Sequence, residues 1–344
     1  MARFLTTILA AAAALLAAGD GSHATPWRAE VYQHTIMPEP TLPDSILWFI
    51  NHGLSSSPSL LKVHDHGLMD GAHHTNFVSK AMATGAGQLS MVFRFNYGYN
   101  YSSPTLATDE SAVEAVVRTV FFREEALRVR ESLPLHLPAA AGAPLGFLPR
   151  HVADTIPFST SELPGILDML GVSEDSEQAA AMEETLRTCE SPAPPFAWEA
   201  SFCTTSPDAL VEGVTAALGT RDVVALASTL PRSGVPPQPY TVRAVRPIDD
   251  GARLVVCHDQ PYPYTVYQCH GTGRRQARAY MVDMEDARGG AVTVAVACHT
   301  DTSRWNPEHV SFKLLGTEPG GAPVCHLMPY GHVMWAENGR RSSA

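Results

Sequence analysis

Apolar and polar positions along the chain change character three times. Residues 4–18 form one apolar run, from Phe4 to Ala18, preceded by Arg3 and followed by small residues at Ala17-Ala18-Gly19 and Ser22-His23-Ala24. Residues 25–117 then hold few clean periods. Two exceptions stand out there. Leu42 to Ile50 predicts a short buried helix through Ile46, Leu47, Phe49 and Ile50. Alternation through Met91, Phe93, Phe95, Tyr97, Tyr99 and Tyr101 predicts a strand or an extended segment.

From about residue 118 the signals sharpen. Ser161 to Leu170, stopped by Gly171, predicts a helix whose first turn Pro164 and Gly165 weaken. Ser176 caps a second, with Ala179, Met182, Leu186 and Cys189 on one face. Ser206-Pro207 opens a third, with Leu210, Val214 and Leu218 inward and Gly219 at its end. After residue 220 the periodicity turns to strands: Asp222–Thr229, Tyr240–Val245, Arg253–His258, Tyr264–His270, Ala279–Met284, Ala291–His299, Val310–Leu315 and Val333–Trp335. The pattern predicts an α+β fold, with short N-terminal helices packed on an antiparallel, β-rich C-terminal half. The expected divisions are a leader over 1–24, a variable loop-rich region over 25–117, a domain over 118–338 and a disordered tail over 339–344.

Composition and charge narrow the function. With 45% hydrophobic and 17% charged residues, the 344-residue chain is too apolar to be disordered. A net charge of −11 argues against nucleic acid as a partner. The basic start, short apolar run and small-residue exit of 1–24 describe a secretory signal peptide, too short for a spanning helix. The expected mature protein is secreted and extracellular, without a membrane segment. Asn100-Tyr101-Ser102 is then a usable glycosylation sequon at Asn100. The chain contains no G-x-S-x-G, Walker or H-E-x-x-H pattern, so no catalytic residue is assigned by motif.

The cysteines carry the sharpest signal. All six lie between Cys189 and Cys325, and four precede a histidine directly: Cys257-His258, Cys269-His270, Cys298-His299 and Cys325-His326. The intervals between the pairs are 10, 27 and 25 residues. Cys189 and Cys203 bracket a proline-rich connection, and in a secreted chain they most simply form a disulfide stapling a helical hairpin. For the other four, one reading has thiols and imidazoles jointly ligating zinc. It lacks a C-x₂₋₄-C clip, and secretion favours oxidised thiols. The other reading separates the two residue types, because neighbours in a strand point to opposite faces. Cys257, Cys269, Cys298 and Cys325 then form two disulfides of open connectivity, while His258, His270, His299 and His326 face a common centre. In Ala291–His299, Val292, Val294 and Val296 share the face of Cys298, whereas His299 shares its face with alanines and Thr293. Four imidazoles suit copper(II), nickel or zinc, with copper strongest by affinity order. The bland alternative has these histidines capping strand ends and bonding to backbone. Two weaker signals are the His64-Asp65-His66 and His73-His74 group, which offers a second metal cluster but reads rather as a flexible histidine loop, and Asp301 with His309, read as strand-end bonding or, alternatively, as support for a metal or an extra ligand to it.

These spacings, with their flanks, resemble the plant BURP domain, defined by four Cys-His pairs at such intervals. The likeness runs from about 120 to 337. It includes Phe121-Phe122, Ile156-Pro157-Phe158-Ser159, Cys189-Glu190, Tyr262-Pro263-Tyr264-Thr265-Val266-Tyr267-Gln268-Cys269-His270, Cys298-His299-Thr300-Asp301-Thr302-Ser303-Arg304-Trp305-Asn306-Pro307-Glu308-His309, Val324-Cys325-His326 and Trp335. The resemblance implies a protein of the plant apoplast or cell wall, active in development or stress response, with wall polymers or wall-modifying enzymes as partners. It implies a non-catalytic role or, alternatively, a copper-dependent autocatalytic peptide cyclase. In the latter the four histidines would be copper ligands and Tyr97, Tyr99 or Tyr101 of the 95–101 segment the self-substrate. No repeated core peptide and no Gln-Pro-aromatic core precedes the domain here.

Overall fold

The computed structural model describes residues 42–51, 121–137, 146–191, 200–248 and 252–338. The leader, Asn100, Tyr97, Tyr99, Tyr101, the His64–His74 group, the extended segment over 91–101 and the tail over 339–344 lie outside the described residues.

The chain enters with helix α1 over residues 44–51. Two short strands follow, β1 (Phe121–Arg123) and β2 (Ser132–Leu137). A helical layer comes next, with α2 (Arg150–Ala153), α3 (Leu163–Leu170) and α4 (Glu177–Glu190). After β3 (Ser201–Thr204) and α5 (Pro207–Leu218), the remaining strands are β4 (Val223–Leu226), β5 (Val235–Pro247), β6 (Leu254–Gln260), β7 (Val266–Thr272), β8 (Ala277–Asp286) and β9 (Ala291–His299). Helix α6 (Val310–Leu315), β10 (Val324–Leu327) and β11 (Val333–Glu337) complete the fold.

The strands form a six-stranded sheet in the order β1-β10-β9-β8-β5-β2 and a five-stranded sheet in the order β3-β7-β6-β11-β4. Strand pairs in both are antiparallel. The sheets face each other across one apolar layer, in which Leu254, Val256, Met334 and Ala336 of the smaller sheet meet Ala277, Ala279, Ala295 and Ala297 of the larger. Small side chains on one side and longer ones on the other let two sheets approach closely. The outer face of the five-stranded sheet is covered by α5, through Leu210, Val214 and Leu218, and by α1, through Ile46, Phe49 and Ile50. Helices α2, α3 and α4 pack instead around Tyr262, Tyr264 and Val266 at the β6–β7 end. The fold is thus α+β, as the pattern predicts.

The helix signals hold in detail. Ser176 Oγ accepts from Ala179 N–H at 3.0 Å and Ser206 Oγ from Ala209 N–H at 3.3 Å, each satisfying a donor that a helix start leaves open. Gly171 and Gly219 end their helices with left-handed φ of 65° and 69°. Two readings need correction. Val310–Leu315 is helical, because His309 Nδ1 accepts from Ser311 N–H and Gly316 turns left-handed, so both ends are capped despite the strand-like pattern. Cys189 and Cys203 do form a disulfide, but Cys203 lies on β3. The bridge therefore ties the last turn of α4 to a sheet edge and does not close a helical hairpin.

Candidate functional site

The Cys-His pairs are built by antiparallel register. Cys257 stands directly opposite Cys269 across β6 and β7, and Cys298 opposite Cys325 across β9 and β10. Their Cα atoms are 4.0 and 3.9 Å apart, the close approach of directly opposed residues, and each facing pair is joined as a disulfide. Each sheet therefore carries one cross-strand bridge, and the described residues contain no free cysteine.

Alternation sends the neighbouring histidines the other way. Cys257 and Cys269 join the helix-covered face with Val255, Tyr267 and Trp335. Cys298 and Cys325 join the outer core of the larger sheet with Val294, Val296 and Leu327. His258 and His270 share their faces with Val256 and Gln268, and His299 with Ala297, so the imidazoles enter the space between the sheets.

There the four rings close a circuit. Ring centroids are 5.3 Å apart for His258–His270, 5.6 Å for His270–His299, 5.4 Å for His299–His326 and 5.5 Å for His326–His258. Within each sheet the Nε2 atoms face each other, at 3.2 Å for His258 and His270 and 3.3 Å for His299 and His326. The four are buried, the most accessible being His270 at 7%. Burial holds their basicity down: His270 falls to about 4 and His326 to about 3, and His258 and His299 lie well below the ordinary imidazole value. The rings are neutral at physiological pH, each with one proton and one lone pair.

The donor set is of a kind that holds a copper, nickel or zinc ion. Among the described residues no three or more His, Cys, Asp or Glu are already drawn together as one set of ligands. The imidazoles instead meet in pairs. Nitrogens about 2.0 Å from a common tetrahedral centre lie about 3.3 Å from one another, which is the separation of both Nε2 pairs. Gln268, directly opposite His258, adds a buried Oε1 that lacks a protein partner. The residues present fit a nitrogen-bound metal in type and protonation, and the Nε2 pair within each sheet fits in spacing.

Beyond the circuit, sequence reasoning missed His332. Its Nδ1 lies 3.0 Å from Nδ1 of His258, and it is 2% exposed. No cysteine precedes it, so no dipeptide flags it. The available signal was alternation, since His332 leads into β11 on the face of Met334. Trp305 was also passed over as a site residue, and its ring packs edge-on to His299 at 4.8 Å. His309 lies against Trp305 at 4.9 Å and Phe121 at 5.7 Å, with Nδ1 turned to Ser311. Asp301 closes a local turn, its Oδ1 accepting from Ser303 N–H and Oγ–H. Neither His309 nor Asp301 hydrogen-bonds the four-histidine circuit in the contacts described.

Comparison with known proteins adds two findings. The family model of the BURP domain matches residues 120–337. Wheat (Triticum aestivum) Protein RAFTIN 1B is 48% identical over the whole length of both chains. Rice (Oryza sativa subsp. japonica) BURP domain-containing protein 13 is 59% identical over 72% of this chain and 62% of its own. BURP domain protein RD22 of Arabidopsis thaliana is 32% identical over 70% of this chain and 60% of its own.

Proposed function

The chain belongs to the BURP-domain family, and from that premise we propose that it is a secreted plant protein of the apoplast or cell wall, serving development or stress response without turning over an external substrate. Its functional centre in this reading is a metal site formed by His258, His270, His299 and His326, with copper the strongest candidate. The observation that carries the reading is the closed circuit of four neutral imidazoles, two from each sheet. Their burial favours a structural or storage role, because a wall polymer has no route to side chains 0–7% exposed. A bound copper ion would supply one-electron chemistry. The protein's own residues hold the site: the disulfides Cys257–Cys269 and Cys298–Cys325 lock the registers that bring the rings together. Wall polymers or wall-modifying enzymes are the partners proposed.

One observation favours a second reading, a copper-dependent autocatalytic cyclase acting on Tyr97, Tyr99 or Tyr101. Both described anchors of the intervening segment sit beside the cluster. Phe49 of α1 packs on Tyr330, two residues from His332, and Phe121 of β1 packs on His326 at 6.3 Å. Described residues on either side of 95–101 in sequence thus contact His326 itself or a close neighbour of His332. Mass spectrometry of the full chain incubated with copper(II) and dioxygen separates the readings. Loss of two hydrogens from the peptide containing 95–101, taken up by dioxygen, supports the cyclase. Bound copper with unchanged peptide mass supports the non-catalytic reading.

A further inference from the structure

Resting on the metal-site reading, we infer that His332 is a positioning residue for His258: it accepts the Nδ1–H of His258 and so leaves the Nε2 lone pair of His258 free for the cluster.

A neutral imidazole has one proton for two nitrogens. His258 presents both to other imidazoles, Nδ1 to His332 at 3.0 Å and Nε2 to His270 at 3.2 Å. Two arrangements satisfy the first contact. If His332 donates, Nδ1 of His258 is bare, its proton sits on Nε2, and His258 cannot ligate through that atom. If His332 accepts, the proton sits on Nδ1 and Nε2 is a free donor atom. Ligating histidines commonly give their second ring proton to an oxygen acceptor; here a fifth imidazole takes that place.

The backbone around His332 is built to hold it there. Gly331 adopts φ 90°, and a Cβ at that position would meet the Phe49 ring at 2.8 Å. The Gly331 carbonyl accepts from the buried Tyr267 hydroxyl, and His332 N–H donates to Pro329 O at 3.2 Å. Next in sequence, Val333 pairs with Cys257, the residue beside His258. His332 therefore stands against His258 on the same disulfide-locked scaffold, without a cysteine of its own.

The test uses the full secreted chain as wild type, His332→Phe and His332→Asn, titrated with copper(II) against a competing chelator, with pulsed EPR to count bound imidazoles. Phe keeps ring volume and removes the acceptor. Asn places an amide oxygen close to the position of Nδ1. The expected result is about 10–100-fold weaker copper binding in His332→Phe, most of it regained in His332→Asn, with an unchanged imidazole count. If His332→Phe does not fold, His332→Gln replaces it. Its oxygen reaches past the Nδ1 position, so weaker binding than His332→Asn is expected. Wild-type affinity in His332→Phe overturns the inference and leaves the metal site standing. Equal loss in Phe and Asn variants, or an imidazole count that falls with either, also overturns it and makes His332 a ligand. A wild-type chain that takes up no copper overturns the metal-site reading itself.

Discussion

His258 and His326 belong to different sheets, yet their ring centroids lie 5.5 Å apart. The circuit of imidazoles exists only while the two sheets stay packed, so its geometry depends on the apolar layer beside it. Met334 is 0% exposed in that layer. Met334→Ala is expected to cost about 2–5 kcal/mol of unfolding free energy, read from urea unfolding. It should also weaken metal binding although Met334 is not itself a proposed ligand. Unchanged stability would show that the layer repacks freely.

The disulfides should map as Cys189–Cys203, Cys257–Cys269 and Cys298–Cys325. Proteolysis of unreduced protein followed by mass spectrometry checks this, and a peptide crosslinking Cys257 to Cys298 or Cys325 would contradict the fold. Breaking Cys298–Cys325, whose members are 27 residues apart in sequence, is expected to cost about 3–4 kcal/mol in the chain-entropy model.

Stability should fall with acidity in protein stripped of metal. His258, His270, His299, His309, His326 and His332 all have basicity lowered by burial, to about 4 in His270 and His309 and about 3 in His326 and His332. Unfolded histidines titrate at about 6.5. Between these values the unfolded chain binds more protons than the folded one. Stability is therefore full above about pH 6.5 and declines as pH falls toward 4 and below. Asp259 acts with the opposite sign. Burial raises its carboxyl to about 8, so its contribution is full below about pH 4 and is lost progressively as pH rises from there to about 8. Asp259→Asn should therefore gain on wild type steadily across that interval and hold its full advantage above it. A flat urea midpoint from pH 7 to 4 would contradict the histidine account.

Helix α1 belongs to the folded body. Phe49 is fully buried and meets Phe147 and Tyr330 edge-on, and Arg232 lies 3.5 Å over the Trp48 ring. Phe49→Ala is expected to cost about 3–5 kcal/mol. A chain started at residue 118 should melt well below the full chain in calorimetry. Equal melting temperatures would show that α1 adds nothing.

Much of this was legible in the sequence where local chemistry dictates structure. Ser176 and Ser206 announce helix starts by their capping oxygens, and the alternation of β9 separates Val294, Val296 and Cys298 from Ala295, Ala297 and His299. That alternation located the histidine face before the partner strands were known. The cysteine connectivity was not legible, because it depends on which strands become neighbours. Strand β10 was missed because Val324–Leu327 is buried on both faces and shows no polar alternation. Strands β1 and β3 have only 3 and 4 residues, and pairing rather than pattern makes them strands. Helix α1 could be read as a helix, but its seat against Gly331 arises only in the tertiary structure.

The most direct test of the proposed metal site is the metal content of the full chain expressed in plant cells, measured by mass spectrometry beside His270→Ala and His326→Ala, one change in each sheet. The account predicts about one metal ion per wild-type chain and loss of most of it in both variants, with circular dichroism showing all three folded. Metal-free wild-type protein, or equal metal in the wild type and both variants, would contradict it.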